Sequence, residues 1–490
     1  MNDVPLFLSK SQFLKGVQCL KHLYLYKFQP ELKDEVLDSL EAAYTEGTNV
    51  GILAQSLFPN GVAIPYDDTS YDVQHQLTQA AMNNDNRVIY EATFYHDNLF
   101  ARVDILSNDD GKWEINEVKN STTVKDVYYY DIAFQYYVIE CLGIPISKAC
   151  IVHINNKYER HGQIELDKLF ISEDITKDVK EMQSDIHKYI VLLREIVNGR
   201  IPDIDIGEHC YSPYDCEFIG HCWKHIPNPS VFNIRGRGVN AYGLYKQGII
   251  RFDDIPVDTL HEKAQRQVSA YLNKETYIDK QSIREFLDSL WYPMAFLDFE
   301  TFRGVIPPFD MTKPYQQIPF QYSLHIQKRQ DAELEHFEYL ALPDIDPRKP
   351  LIEKILSEIP KDACVLTYNM GFEKGVLRRL AELYPAYSQS ITNITGNIRD
   401  LMKPFRNQAY YSWQMMGSYT IKAVLPVLVP ELSYDSLEIH DGGMAMDAYW
   451  EMCGAKDNDE AERIRKALLE YCYLDTLAMV RIVDKLESIV

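Results

Sequence analysis

The chain has 490 residues, 46% hydrophobic and 25% charged, with a formal net charge of −22. That length exceeds the ~250–300 residues at which single cores tend to split, so two or three domains are expected. The acidic balance speaks against a strongly basic nucleic-acid footprint, although a local basic groove can sit on an acidic protein.

No apolar run reaches the ~18 residues of a membrane span, so no membrane partner is expected. The start, MNDVPLFLSKSQF, lacks the basic and apolar regions of a signal peptide, and a cytoplasmic location is expected. Nine cysteines in such a chain argue against a disulfide framework. Cys141, Cys150, Cys364, Cys453 and Cys472 lie among apolar or aromatic residues and read as core packing, whereas Cys19, Cys210, Cys216 and Cys222 do not.

Residues 1–228 read as a first region. Helical pattern in SKSQFLKGVQCLKHLYLYKF precedes strands in RVIYEATFYHDNLFARVDILSNDDGKWEINEVKN, where NDDG marks a hairpin turn. A helix is predicted from Val127 to Leu142, then a strand at KACIVHIN, then one helix ending at Gly199 ahead of Pro202. Asp104 lies on one hairpin strand, and alternation puts Glu117 and Lys119 on one face of the other. Two acids and a lysine there suit single-metal phosphodiester hydrolysis, with Lys119 polarising water or stabilising the phosphate. An exposed salt-bridged hairpin is the plainer reading of the same residues. Cys210, Cys216 and Cys222 follow as C-x5-C-x5-C, with Cys19 far upstream.

IPNPSVFNI reads as a linker, and residues 229–290 as a short helical connector. From Trp291 strands are predicted at MAFLDFET, FQYSLHIQ and EHFEYLAL, then a helix from Pro350 to Ile359, a strand at ACVLTYN, a helix from Gly371 to Leu383 and later helices. This order implies a mixed α/β domain over 291–490. Asp298 and Glu300 share one strand face, where like charges raise each other's pKa unless a cation compensates. Carboxylate oxygens suit magnesium or manganese. Tyr471 and Asp475 are four apart on the last helix and share its face. Asp298, Glu300, Glu373 and Asp475 can therefore converge around two divalent ions roughly 3.5–4 Å apart, the usual clamp on a phosphodiester. Tyr471 would orient or help deprotonate the attacking water.

Asp298-x-Glu300, Asn369-x-x-Phe372-Glu373 and Tyr471-x-x-x-Asp475 together resemble the DnaQ-like 3′–5′ exonucleases of the DEDD superfamily, in its tyrosine-bearing branch. The resemblance implies an RNase H-like fold, with Asp400 in IRDLM as a supporting acid; Glu373 departs from the family's Asp. One cysteine before a D…E-x-K core and three after it resemble the RecB-type PD-(D/E)XK nucleases with an iron–sulfur cluster, AddB and the CRISPR-adaptation nucleases among them. That implies a restriction-endonuclease-like fold and a [4Fe–4S] cluster on Cys19, Cys210, Cys216 and Cys222 that joins the two ends of the domain.

It also implies catalytic roles for Asp104, Glu117 and Lys119, a motif at Gln135 and Tyr136, and upstream ligands at Glu91 and Glu46. The family's first-helix histidine has no evident counterpart; His75 lies nearest in sequence. Structural zinc is the alternative for the cysteines, with His209, His221 or His225 completing a mixed site. The whole chain resembles an uncharacterised bacterial family fusing these two modules. The expectation is a metal-dependent nuclease acting on DNA, single-stranded or from free ends, in repair, recombination or defence. The competing readings are a non-catalytic nucleic-acid-binding scaffold and an RNA-processing exonuclease using the C-terminal domain.

Overall fold

The computed structural model describes residues 7–490 apart from 36–37, 67–68, 198, 237 and 344, and apart from the side chains of 38–46 and 197. The side chain of Glu46 thus lies outside the described residues. The fold is mixed α/β and divides into two units, residues 1–225 with 304–315, and residues 226–303 with 316–490.

In the first unit the strands are β1 (Leu8–Ser9), β2 (Val62–Ala63), β3 (Val88–His96), β4 (Leu99–Asp109), β5 (Lys112–Lys119), β6 (Ile146–Ile154) and β7 (Phe170–Asp174). They form one sheet in the order β2-β3-β4-β5-β6-β7, with β1 parallel to β4. The β4–β5 hairpin closes at Asp110 and Gly111, both at positive φ (50° and 80°), as a two-residue turn of matching twist requires. β5 and β6 are parallel, so the chain must cross over between them, and α3 (Asp126–Cys141) makes the crossing. It begins and ends one residue before the span the pattern predicts, and buries Ile132, Phe134, Val138 and Ile139. The single helix expected up to Gly199 is two, Thr176–Glu181 and Gln183–Val197.

At the front, α1 (Lys10–Gln18) starts on a reciprocal cap in which the Ser9 hydroxyl accepts from the Gln12 amide and the Gln12 side chain accepts from the Ser9 amide. Cys19 is extended (φ −163°) and separates α1 from α2 (Leu20–Phe28).

In the second unit β9 (Met294–Phe302) is central in a sheet ordered β11-β10-β9-β12-β13, with β10 (Ile318–Gln327), β11 (Glu335–Leu340), β12 (Cys364–Thr367) and β13 (Ile398–Asp400). The pairs β9–β10 and β10–β11 are antiparallel, and β9–β12 and β12–β13 are parallel. The carboxyl ends of β9, β12 and β13 therefore open on the same side, where crevices form in such sheets. Helices that matter below are α4 (Met370–Leu383), α5 (Ile421–Leu428), α6 (Gly442–Gly454) and α7 (Asn458–Ile489). Residues 229–290, read above as a connector, cluster with this unit. They keep a small core around Val231, Phe252 and Val268, and their strand β8 (Thr276–Ile278) pairs with β14 (Tyr410–Ser412).

The cysteine expectations divide. Cys150, Cys364 and Cys472 are buried, but Cys141 is exposed and Cys453 half-buried. Cys141 is the last residue of α3, where the helix leaves the core. Among the described residues no helix is long and apolar enough to cross a membrane.

Candidate functional site

The second unit holds an acidic centre. One carboxylate oxygen each from Asp298, Glu300 and Asp475 lie within 4.8 Å of one another. Asp298 and Glu300 come from β9, and Asp475 from α7. The rotation of α7 is fixed by its polar neighbours: the Thr476 and Ser323 hydroxyls are 2.7 Å apart, Thr476 meets His325 Nδ1 at 2.8 Å, and the Gln321 amide donates to the Leu468 carbonyl at 2.7 Å. Ser323 stands opposite Asp298 in the sheet register, which brings Asp475, the residue of α7 just before Thr476, to the acid pair.

The three acids line a cavity of ≈ 220 Å³ with Tyr368, Phe372, Lys422 and Tyr471. Burial and the charges of Asp475, Glu300 and Glu373 push the Asp298 carboxyl well above its usual range. Burial and Asp475 push Glu300 up to about 8, against the pull of Lys422. Asp475 rises to about 6 through burial, moderated by the Tyr434 hydroxyl that donates to its Oδ1 at 2.6 Å. Repulsion of this kind is relieved by protons or by a cation.

Glu373 is only partly brought in. It sits in the first turn of α4, buried, with Oε2 lacking a hydrogen-bond partner. It is pushed up to about 8 by burial and by Asp400, and its charge acts on Asp298 and Glu300, but it does not line the cavity. Asp400 instead holds backbone, accepting from the amides of Asn369 and Met402 at 3.1 Å each. Asn369 caps α4 at φ 79° and is tied in this way.

Sequence reasoning missed four participants. Lys422 and Tyr434 lie in a stretch without a recognisable motif. Asp441 caps α6 and, by its charge, further raises Glu300. Cys472, read as packing, places its thiol 3.9 Å from Asp298 Oδ2. Lys422 donates to the His440 carbonyl and lies 5.7 and 5.6 Å from the ring centroids of Tyr434 and Tyr471. Among the described residues it has no ion-pair partner within 4.0 Å.

The first unit holds a second centre of different balance. Asp104 Oδ2 accepts from the Val118 amide at 2.8 Å. Glu117 Oε1 takes both Lys10 at 2.6 Å and Lys119 at 2.7 Å, and its Oε2 accepts from Gln135 at 2.8 Å. The same two lysines reach Asp131 at 3.2 and 2.6 Å. Burial and the Glu117 charge push Asp104 up to about 7. Burial alone would raise Asp131, but the Lys10 and Lys119 charges outweigh it and hold Asp131 low. Glu91 and Asp104 fall in the gap between the β3–β4 pairs Tyr90–Ile105 and Ala92–Val103, and Glu91 has φ 56°, a costly backbone for a non-glycine residue that often marks functional sites. Burial raises its pKa.

Glu117, Lys119 and Gln135 thus meet in hydrogen bonds, whereas Asp104 and Glu91 act on the centre through their charges and Tyr136 is buried in the core. His75 is not among the contacts of this centre; its ring stands edge-on to Phe94. Lys10 and Asp131 were missed. Asp131 precedes Gln135 by one helical turn and was legible by spacing; Lys10 carried no sequence signal.

Cys19, Cys210, Cys216 and Cys222 line one small cavity of ≈ 20 Å³, together with Leu25, Ile206 and Phe218. Burial and the other three thiols push Cys216 up to about 12, and burial also raises Cys19 and Cys222. The four cysteines thus share one cavity with apolar neighbours, and among the described residues the group of three or more ligand atoms that lie within 4.8 Å of one another is the one at Asp298. Of the three histidines weighed above, His209 lines the cavity; His221 and His225 do not. A polar clasp backs it. Glu217 pairs with Lys15 at 2.5 Å and Lys33 at 2.6 Å, and the Gln18 amide donates to the carbonyls of His209 and Tyr214 at 2.8 and 2.7 Å.

The chain is thus an α/β protein with an acidic cavity at the carboxyl ends of a mixed sheet. A family described as Domain of unknown function (DUF2779) matches residues 295–420, which include Asp298, Glu300 and Glu373 but end before Lys422, Tyr471 and Asp475. The chain is 25% identical over 215 residues to "Uncharacterized protein MG366" of Mycoplasma genitalium, covering 40% of this chain and 32% of that protein. It is 24% identical over 217 residues to the "Uncharacterized protein MG366 homolog" of Mycoplasma pneumoniae, with the same coverage. The matched part thus spans about a third of these relatives.

Proposed function

We propose that the chain is a metal-dependent nuclease. The observation that carries the reading is the acidic cavity, in which ligand oxygens of Asp298, Glu300 and Asp475 lie within 4.8 Å beside Tyr471 and Lys422. Magnesium or manganese held there would activate water and stabilise the leaving oxygen of a phosphodiester. Glu373, outside the cavity lining and pushed up to about 8, would add negative charge to the site only on giving up its proton. Burial and Asp475 keep the Tyr471 hydroxyl protonated, which suits it to orient a water as a donor rather than to deprotonate it. Lys422, with no ion-pair partner within 4.0 Å among the described residues, is placed to meet a phosphate oxygen. Strand order and direction in this sheet, an antiparallel trio extended by two parallel strands, agree with the RNase H-like reading.

In the first unit Asp104, Glu91 and Glu117 would hold a metal, with Lys119 on the phosphate. The β4–β5 hairpin and parallel β6 support the restriction-endonuclease-like reading. The four thiols are assigned to a [4Fe–4S] cluster, which would join residue 19 to residues 210–222. The substrate we favour is DNA, as single strands or free ends, and the site of action is the cytoplasm.

One observation favours a second reading. Both Glu117 oxygens are already engaged by lysines and Gln135, so the first centre would bind nucleic acid while only the second cuts, on DNA or RNA.

The test is degradation of end-labelled single-stranded DNA and RNA with manganese by anaerobically purified protein, beside Asp298→Ala, Lys119→Ala and the double variant. Loss with Asp298→Ala alone supports the second reading, and loss distributed between both variants supports two centres. Equal activity of all four proteins, or none in any, sinks the proposal.

A further inference from the structure

The loop that carries three of the cysteines also reaches the first centre. Tyr214 stands between Cys210 and Cys216, and its ring is 49% exposed. Its backbone is held: the Cys216 amide donates to the Cys210 carbonyl at 2.8 Å, and Gln18 binds the Tyr214 carbonyl from α1. The Lys125 ammonium lies 6.0 Å from the ring centroids of both Tyr214 and Tyr128. The Lys119 ammonium lies 5.3 Å from the Tyr128 centroid. An open aromatic face on a fixed backbone, an ammonium beside it, and the lysine of the acidic centre on the next ring follow one another in space. Stacking platforms with interleaved cations are how proteins hold unpaired bases while tracking the backbone, and a base-paired duplex offers no free face to such a ring.

We propose that Tyr214 is a nucleobase-stacking residue of the first centre, with Lys125 on the adjoining phosphate, and that this subsite takes single-stranded nucleic acid. The inference rests on reading the first centre as a nucleic-acid site. It makes the cysteine loop part of the substrate surface as well as a fastening, so the state of the thiol site governs where Tyr214 stands.

The test measures binding of a fluorescein-labelled single-stranded oligonucleotide and of its duplex to the full chain, by anisotropy, with calcium replacing manganese to suppress cleavage. Tyr214→Ala is expected to weaken single-strand binding about 5–160-fold, the equivalent of about 1–3 kcal/mol per stacked base, with duplex binding unchanged. Tyr214→Phe retains the ring and is expected to match the wild type. Lys125→Ala is expected to lower the salt dependence by about one phosphate contact.

Undiminished single-strand binding by Tyr214→Ala, or equal weakening by Tyr214→Phe, overturns the stacking role. Equal loss of duplex binding overturns the single-strand assignment. Wild type that binds strands through Tyr214 but never cuts them sinks the nuclease reading alone, and wild type that binds no strand sinks the platform. Thermal unfolding of each variant, matched to wild type, separates these results from misfolding.

Discussion

The two acidic centres are built from similar residues and balanced in opposite ways. In the first, Lys10 and Lys119 each bridge Glu117 and Asp131, so buried acids and half-buried ammoniums neutralise one another. In the second, Asp298, Glu300 and Asp475 crowd together while Lys422 is held by a carbonyl and two rings. Breaking a buried ion pair costs several kcal/mol, because the partner is left charged and unpaired. The first centre is therefore stable without an added cation, and an incoming metal must displace an ammonium from Glu117. The second is short of positive charge and takes it from protons or metal. Its carboxyls all stand raised, whereas in the first Asp104 and Glu91 are raised but Asp131, between the two lysines, is lowered.

The largest expected effect breaks the comparison at the second centre. Asp298→Ala removes a ligand from the crowded trio and should cut manganese-dependent cleavage by about 10²–10³-fold, read as initial rates on end-labelled strands. Lys422→Met comes next. If its ammonium meets the phosphate, kcat should fall about 10–100-fold with little change in the manganese needed for half-maximal rate, and Lys422→Arg should restore part of it. A Lys422→Met enzyme that works normally at lower manganese would instead make Lys422 a mere counter-charge. At the first centre, Lys10→Met leaves Glu117 and Asp131 with one ammonium between them. Manganese binding to that unit, measured calorimetrically in an Asp298→Ala background, should tighten about tenfold. Weaker binding would show that Lys10 supports the metal site rather than competing with it.

How much of this was legible in the sequence follows the range of each signal. Asp298 with Glu300, Glu117 with Lys119, and Tyr471 with Asp475 are local pairs, set by strand or helix period, and each pair meets in the structure. Lys10 sits 107 residues from Glu117, and nothing in a capped first turn announces a partner at that distance. Lys422 follows Thr420 at the start of an apolar helix and reads as an ordinary surface lysine. Glu373 is legible as an acid in the first turn of its helix, but it is buried with Oε2 unpartnered and does not line the cavity. The strand segments were readable from alternation. The gathering of residues 304–315 into the first unit was not, because it depends on Arg160 donating to the carbonyls of Pro307 and Pro308.

The smallest effect sharpens the comparison through pH. Glu300 and Glu373, both pushed up to about 8, and Asp475, at about 6, bind protons in the folded state that the unfolded chain has released. Where the folded state holds more protons, stability falls as pH rises. In chelator, protection of β9 amides from hydrogen exchange should therefore decline from about pH 5 to about pH 8. Asp131 has the opposite sign: its lowered carboxyl stabilises the first centre throughout that window and fails only as pH drops below the ordinary carboxylate range. Asp104, pushed up to about 7 beside β5, adds a decline of the β9 kind there, so protection of β5 should fall less than that of β9. Manganese, which binds the charged carboxylates, should abolish the decline, and Glu300→Gln should flatten it without metal. Equal pH trends in both strands would mean that the two centres are not balanced in opposite ways, and that the crowding of Asp298, Glu300 and Asp475 carries no protonic cost.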